Sequence, residues 1–169
     1  MDAYLAIASK RDVKTYADRP LAADSIARIL DAGRLSGSAR NRQPWQFVAV
    51  EDGARRERLA QAVHAPENVR TAALVVAVVA TRGGAGFDCG RAAQNMMLAA
   101  WNEEIGSSPN GLADRDAARE AIGLDADAEI AIVLSFGYPA RPREPGERSV
   151  EEWSRAANRK PLEEIVRRV

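Results

Sequence analysis

The chain has 169 residues, of which 46% are hydrophobic and 28% are charged, a composition typical of one soluble globular domain with a substantial core. Lysine plus arginine and aspartate plus glutamate both number 24, so the overall charge gives no support for a nucleic-acid partner. The single cysteine, Cys89, and the single histidine, His64, exclude an intramolecular disulfide, a multi-cysteine zinc site and two-histidine metal motifs.

The first residues lack a basic region followed by an apolar stretch, and no window is long and apolar enough for a membrane span. No G-x-S-x-G elbow is present, so the sequence offers no serine-hydrolase site. We therefore expect a cytoplasmic protein with no membrane partner, folded as one domain over residues 1–169.

The chain begins with a predicted short helix over residues 2–9, followed by a basic segment that we define as residues 10–14. Lys10 and Arg11 allow two interpretations. They could complement the negative end of the helix, or they could hold a phosphate group.

A second predicted helix covers residues 23–34 and leads to a polar loop that we define as residues 38–43. Pro44 excludes the right-handed helical conformation for Gln43, so this loop should be irregular or extended. A strand over residues 46–50 follows. The loop could be an ordinary connection that is fixed by burial of the Trp45 side chain, or it could be a hydrogen-bonding rim for a planar ligand.

Further along, we predict a turn at Asp52-Gly53, a helix over residues 54–63, a loop over residues 65–68 and a central strand over residues 73–80. Residues 84–89 fall one glycine short of the dinucleotide-binding motif G-x-G-x-x-G and are interpreted as a mobile surface loop.

The next helix is predicted over residues 88–103, with Asp88 as its N-cap. Its residues are apolar nearly all round, which is typical of a core or of a subunit interface. A turn at residues 105–111, a helix over 112–122 and a buried strand over 129–137 follow. Residues 141–149 are rich in Pro, Arg and Glu and resemble a linker, with Trp153 as a candidate anchor.

Four stretches in order resemble motifs of the FMN-dependent nitroreductase family. They are Lys10-Arg11-Asp12-Val13-Lys14-Thr15-Tyr16, Ser38-Ala39-Arg40-Asn41-Arg42-Gln43-Pro44-Trp45-Gln46-Phe47, residues 88–111, and Arg159-Lys160-Pro161-Leu162-Glu163-Glu164. Together they cover most of the chain. This chain departs from the family pattern at Asp12, usually serine, at Glu103 and Glu104, usually apolar or glycine, and at Pro109, which cannot donate a backbone hydrogen bond.

The resemblance implies an α+β fold, a three-layer α-β-α sandwich with a mixed, mainly antiparallel central sheet, assembled as an intertwined homodimer. It implies that residues 141–157, here called the tail, embrace the partner subunit. It also implies an FMN cofactor at the dimer interface, reduced by NAD(P)H and reoxidised by a small-molecule electron acceptor such as a nitro compound or quinone.

The residues that would hold FMN by this resemblance come from all four motifs. They are Lys10, Arg11, Asp12, Lys14, Ser38, Ala39, Asn41, Gln43, Ser108, Asn110, Gly111, Arg159 and Lys160. Among the cations, Arg11 and Lys14 are favoured for the phosphate. No side chain is predicted as catalytic and no metal is expected, because a flavin supplies the redox chemistry itself. Two alternatives stay open: a non-catalytic flavin-binding protein for storage or sensing, and a deazaflavin-binding relative.

Overall fold

The structure is a computed structural model that describes residues 1–81, 83 and 85–169. The helices are α1 (Ala3–Ser9), α2 (Ala23–Arg34), α3 (Gly53–Gln61), α4 (Pro66–Arg70), α5 (Gly86–Asn102), α6 (Arg115–Ile122), α7 (Val150–Ala156) and α8 (Leu162–Ile165). The strands are β1 (Trp45–Ala49), β2 (Leu74–Ala80), β3 (Gly106–Asn110) and β4 (Glu129–Gly137). Short 3₁₀ turns lie at Ala39–Asn41 and Pro145–Glu147.

The four strands form one sheet in the order β1-β2-β4-β3, and every neighbouring pair is antiparallel. The central strand β2 is buried along its whole length. It has no polar alternation because both of its faces are covered. The sheet confirms the predicted mainly antiparallel arrangement.

Two hydrophobic clusters lie on opposite faces of this sheet and make the three layers. On one face, Val75, Ala77 and Val79 of β2 contact α3, α4 and α6. On the other face, Val76 and Val78 contact α2 and α5. The predicted α-β-α sandwich is confirmed, whereas a dimer is not tested by this single chain.

Helix α5 begins earlier than predicted, and its burial follows the core alternative of its prediction. It begins at Gly86, so Asp88 lies within its first turn rather than at the N-cap, which is Ala85. Most of its apolar side chains are buried within the chain's own core, as Ala93 and Met97 show with 5% and 7% exposure, whereas Phe87 is 79% exposed. The apolar composition of this helix is therefore explained largely by the monomer and is not by itself evidence of an interface.

Three predicted irregular segments are at least partly regular in the structure. Residues 86–89 of the segment interpreted as a mobile surface loop lie in α5, and residue 84 of that segment is outside the described residues. The predicted loop at residues 65–68 is wrong because α4 begins at Pro66, a residue whose fixed φ suits the first helical position. The predicted turn at residues 105–111 contains the edge strand β3 instead.

The tail forms the second 3₁₀ turn and α7, and α7 contacts α1 of the same chain. Trp153 is buried, and its indole N–H donates to the carbonyl of Pro145 at 2.8 Å. Guanidinium groups lie over its ring from Arg11 and from Arg148. Trp153 therefore anchors the tail to its own chain, as predicted. The contact of the tail with a partner subunit stays a prediction.

Candidate functional site

The basic segment runs beside β3 in an extended conformation that sorts its side chains to two sides. The Val13 N–H donates to the carbonyl of Ser107 at 3.0 Å, and Val13 is buried against Gly106. Because successive side chains of an extended chain point to opposite sides, Lys10, Asp12 and Lys14 share the side opposite Val13.

Lys10 and Asp12 form an ion pair, with 2.6 Å between Nζ and Oδ1. The Lys10 side chain is only 9% exposed, and its Nζ also lies 3.6 Å from Sδ of Met97 on α5. A carboxylate at this position would repel a phosphate unless it bonds a neighbouring base, and the structure supplies that base. The Asp12 departure therefore occupies Lys10, and Lys14 has no ion-pair partner among the described residues.

Arg11 points away from the other cations of the basic segment. Its guanidinium donates to the carbonyls of Ala8 (2.7 Å), Lys10 (2.8 Å) and Trp153 (2.8 Å). Burial lowers the pKa of Arg11, and the positive charges of Arg159 and Arg143 lower it further. Arg11 thus complements the end of α1 and ties α7 to it, as its structural interpretation expects, and its contact with a phosphate stays a prediction.

A cleft of about 440 Å³ opens beside the basic segment, and its lining includes three cations and one carboxylate. Asp12, Val13, Lys14 and Thr15 line one side, and Pro139, Ala140, Arg141 and Arg143 line the other. With Asp12 already paired, the side chains of Lys14, Arg141 and Arg143 give the cleft a net positive charge. Such a cleft can take an anionic group.

The polar loop is held in strained backbone conformations. Arg40, Asn41 and Gln43 have φ values of 53°, 54° and 49°, which side-chain-bearing residues rarely adopt. The Ser38 hydroxyl accepts the Gln43 N–H at 2.8 Å, and the Gln43 amide donates to Oδ1 of Asn41 at 3.3 Å. Strain of this kind persists only where surrounding contacts impose it, and it is concentrated at functional sites.

Helix α5 supplies those surrounding contacts. The Asp88 carboxylate accepts the backbone N–H of Ala39 at 3.3 Å, and the Cys89 thiol donates to the carbonyl of Pro44 at 3.8 Å. Nearly two turns further on, the Asn95 amide donates to the Ser36 hydroxyl at 2.7 Å. The first half of α5 is therefore the support on which the polar loop rests.

The predicted residues of β3 lie below the surface rather than at an open rim. Ser108 and Asn110 are each 2% exposed. The Asn110 amide donates to Ser135 Oγ at 3.1 Å, and its Oδ1 accepts from Asn68 at 3.0 Å. The side chain of Asn110 is thus satisfied inside the protein. Gly111 is exposed, and its carbonyl accepts the His64 N–H at 3.0 Å.

The three remaining departures from the family pattern also have local explanations. Glu103 forms an ion pair with Arg28 and accepts a hydrogen bond from the Ser25 hydroxyl at 2.6 Å, so it links the end of α5 to α2. The hydrogen bond from Arg28 and, to a smaller extent, the one from Ser25 lower the pKa of Glu103. Glu104 has φ of 61°, a conformation that favours glycine. Pro109 is exposed on the edge strand β3, where a missing N–H is tolerated.

The predicted site residues therefore form separate groups in one chain. Lys10 contacts Met97 and Ala39 contacts Asp88, so the basic segment and the polar loop meet α5 nine residues apart, about 13 Å along its axis. Within the described residues no hydrogen bond or ion pair joins the two groups. Arg159 lies near Arg11, and Lys160 follows it in an exposed stretch.

Comparison with known proteins agrees with this fold. The sequence model of the nitroreductase family matches residues 7–83 and 79–138, and the chain belongs to that family. A protein of Archaeoglobus fulgidus, provisionally named NADH dehydrogenase/NAD(P)H nitroreductase, is 31% identical over 144 residues, 79% of this chain and 83% of its own.

Two solved structures cover almost the whole chain. A provisionally named nitroreductase from Desulfovibrio desulfuricans, solved in complex with FMN, has a TM-score of 0.81 at 26% identity and covers 98% of this chain and 96% of its own. A nitroreductase family protein from Clostridium difficile 630 has a TM-score of 0.81 at 24% identity and covers 99% and 98%. Among the described residues, no helix is long and apolar enough to cross a membrane.

Proposed function

We propose that this chain is an FMN-dependent oxidoreductase that passes reducing equivalents from NAD(P)H to a small-molecule acceptor such as a nitro compound or quinone. The observation that carries the proposal is the polar loop, in which three non-glycine residues are held in left-handed conformations. Membership of the nitroreductase family and the FMN complex of a relative support the same conclusion.

The residues present fit FMN at both ends of the molecule. The cationic cleft beside Lys14 suits the phosphate, and the exposed Arg159 and Lys160 can add charge to it. The hydroxyl of Ser38 and the amides of Asn41 and Gln43 suit the ribityl chain and the polar edge of the ring system. When bound, the flavin supplies the electron-transfer chemistry, and the protein binds and orients it.

The separation of the two groups along α5 leads us to propose that each site is shared by two chains. The basic segment of one subunit would hold the phosphate, and the polar loop of its partner would meet the ring. The proposed assembly is therefore a homodimer with two shared sites, in which Ser108 and Asn110 of β3 and the following Gly111 form the wall beneath the flavin.

Two of the departures that left a flavin storage or sensing protein open have local structural explanations. Asp12 is neutralised by Lys10, and Pro109 lies where the sheet does not require its N–H. Neither departure obstructs a flavin site.

The proposal is tested by purifying the chain, recording its visible spectrum and measuring steady-state oxidation of NADH and NADPH with 1,4-benzoquinone as acceptor. We expect the two absorption bands of a flavin, release of FMN on heating, and quinone-dependent oxidation of the nicotinamide. A chain that stays colourless in excess FMN would refute the cofactor, a single shifted band would indicate a deazaflavin, and a yellow chain without turnover would indicate storage or sensing.

A further inference from the structure

The only histidine of the chain, His64, lies beside the end of strand β3. Its backbone N–H donates to the carbonyl of Gly111 at 3.0 Å, and the preceding Val63 forms an antiparallel bridge with Leu112. Backbone pairing therefore fixes the segment that carries His64 to the residues that follow β3.

The imidazole ring of His64 lies against Gly111. A Cβ atom added at Gly111 would come within 3.4 Å of Cδ2 of the ring. The His64 side chain is exposed and forms no hydrogen bond or ion pair with any other residue that the structure describes. Its ring nitrogens are therefore available to a ligand.

Strand β3 is open to an incoming ring only toward its C-terminal end. Its other residues are buried, whereas Pro109 and the following Gly111 are exposed. The cationic cleft lies at the opposite end of the strand, where its lining residue Asp12 pairs with Ser107. From Ser107 to Gly111 the chain spans roughly 13 Å. A flavin whose phosphate occupies the cleft and whose ring covers the exposed end of β3 would therefore bring its ring to His64.

Other groups near this wall that carry protons are already engaged. Lys10 is held in its ion pair with Asp12, and the Tyr16 hydroxyl is buried and bonded to Ser135. An imidazole can both donate and accept a proton near neutral pH. Among the described residues that we place beside the flavin wall, His64 is therefore the group best suited to proton transfer.

We propose that His64 donates the proton that the electron acceptor needs when it is reduced. A quinone that takes a hydride from the reduced flavin on one oxygen gains two electrons and one proton, and the flavin is oxidised. The second quinone oxygen then needs one more proton to give the hydroquinone. The N–H bond of the His64 imidazolium breaks as an O–H bond forms on that oxygen, and water protonates the neutral imidazole again. This inference rests on the proposed function, because it names a proton donor for the same redox site.

The position of His64 is tested by NMR of the chain with nitrogen-15-labelled histidine. Because His64 is the only histidine, one set of imidazole signals reports on it. Addition of FMN to the flavin-free chain should shift these signals in step with flavin uptake. Arg58→His adds a control imidazole at an exposed position near the end of α3, and the control signals should stay in place.

The NMR titration separates the two proposals. Flavin that binds while the His64 signals stay in place would overturn this inference and leave the proposed function intact. A chain that takes up no flavin would refute the proposed function, and this inference would fail with it.

The proton-donor role is tested by the two half-reactions of His64→Ala. The variant keeps the backbone N–H that donates to Gly111, so it should fold and bind FMN as the wild type does. Bleaching of the flavin by NADH should be unchanged. Reoxidation by tetramethyl-1,4-benzoquinone should slow about 100-fold, the lower end of the effect of a positioned acid. Arg58→Gln is the control and should change neither rate.

Added imidazole distinguishes proton transfer from a structural role. Imidazole should restore much of the reoxidation rate of His64→Ala, whereas 1,3-dimethylimidazolium, which has the same ring but no N–H, should not. The proton-donor role is overturned if His64→Ala is reoxidised at the wild-type rate. It is also overturned if a slowed variant is restored by both compounds or by neither.

Discussion

Two cations of the basic segment, Arg11 and Lys14, have different surroundings, and this difference can be measured. Lys14 lines the cationic cleft, whereas Arg11 donates to three backbone carbonyls of α1 and α7. The sequence alone favoured both for the phosphate because it could not show that alternation along an extended segment turns Arg11 away.

We therefore predict that Lys14→Ala weakens FMN binding by about 1–2 kcal/mol, the contribution of a partly exposed charge-assisted hydrogen bond. Riboflavin binding should change little. Riboflavin is insensitive because it lacks the phosphate. Arg11→Ala should lower thermal stability and affect both ligands equally. Fluorescence-quenching titrations of the two flavins give the comparison, and an equal loss for FMN and riboflavin in Lys14→Ala would contradict the assignment.

Glu104 occupies a backbone conformation that suits glycine. Its φ of 61° should cost about 1 kcal/mol relative to a glycine at the same place. Glu104→Gly should therefore raise the free energy of unfolding by up to about 1 kcal/mol in urea denaturation. Glu103→Gly is the matched control: its φ is negative and it loses the contacts with Arg28 and Ser25, so it should destabilise. A loss of stability in Glu104→Gly would show that the carboxylate has a role of its own.

Tyr16 gives the chain a pH dependence at the alkaline end. Burial raises the pKa of Tyr16 to about 12 from its ordinary 10.0, although the hydrogen bond with Ser135 opposes this shift. Because the folded state keeps the proton, the stabilisation is complete below pH 10 and is lost as the pH rises from about 10 to 12, to a total of about 2–3 kcal/mol. Urea denaturation at pH 8 to 11.5 should show a smaller decline for Tyr16→Phe than for wild type. Parallel declines would contradict the assignment.

At the scale of elements, the first turn of α5 is expected to position the polar loop. Asp88→Ala removes the acceptor of the Ala39 N–H, so the strained loop should relax and FMN affinity should fall about fivefold to tenfold, the effect of about one hydrogen bond. Asp88→Asn should restore most of the affinity because its amide oxygen can accept the same bond. Asp116→Ala, at an exposed first-turn carboxylate of α6, is the control. Unchanged affinity in Asp88→Ala would mean that the loop holds its conformation without α5.

Long elements with strong periodicity or continuous burial were predictable from sequence, and short or polar ones were not. Helix Ala23–Arg34 and strand Glu129–Gly137 have their predicted bounds. Strand β3 reads Gly-Ser-Ser-Pro-Asn and has no apolar alternation, so its strand conformation comes from pairing with β4. Helix α4 has five residues, too few for a helical period to appear.

The same limit applies to the candidate site. Its residue types could be identified from the motif, but the left-handed conformations of Arg40, Asn41 and Gln43 could not, because none is glycine.

At the scale of the whole molecule, the proposal of a shared site makes assembly and cofactor binding thermodynamically linked. Ligand that binds only the dimer stabilises it by mass action. Sedimentation of the 18.3 kDa chain should therefore show flavin absorbance only at the dimer mass, and removing FMN should shift the dissociation to higher protein concentration. A monomer that carries flavin would refute the shared site. Ala93→Glu and Met97→Glu are unsuitable tests, because both positions lie in the chain's own core.

The central claim is that a bound flavin carries electrons from a nicotinamide to an acceptor, and the two half-reactions test it most directly. The purified protein, loaded with FMN and kept free of oxygen, is mixed with NADH or NADPH while the flavin absorbance is followed, and 1,4-benzoquinone is then added. We expect the absorbance to bleach with the nicotinamide and to return fully with the quinone. Bound flavin whose absorbance does not change with either nicotinamide would contradict the account.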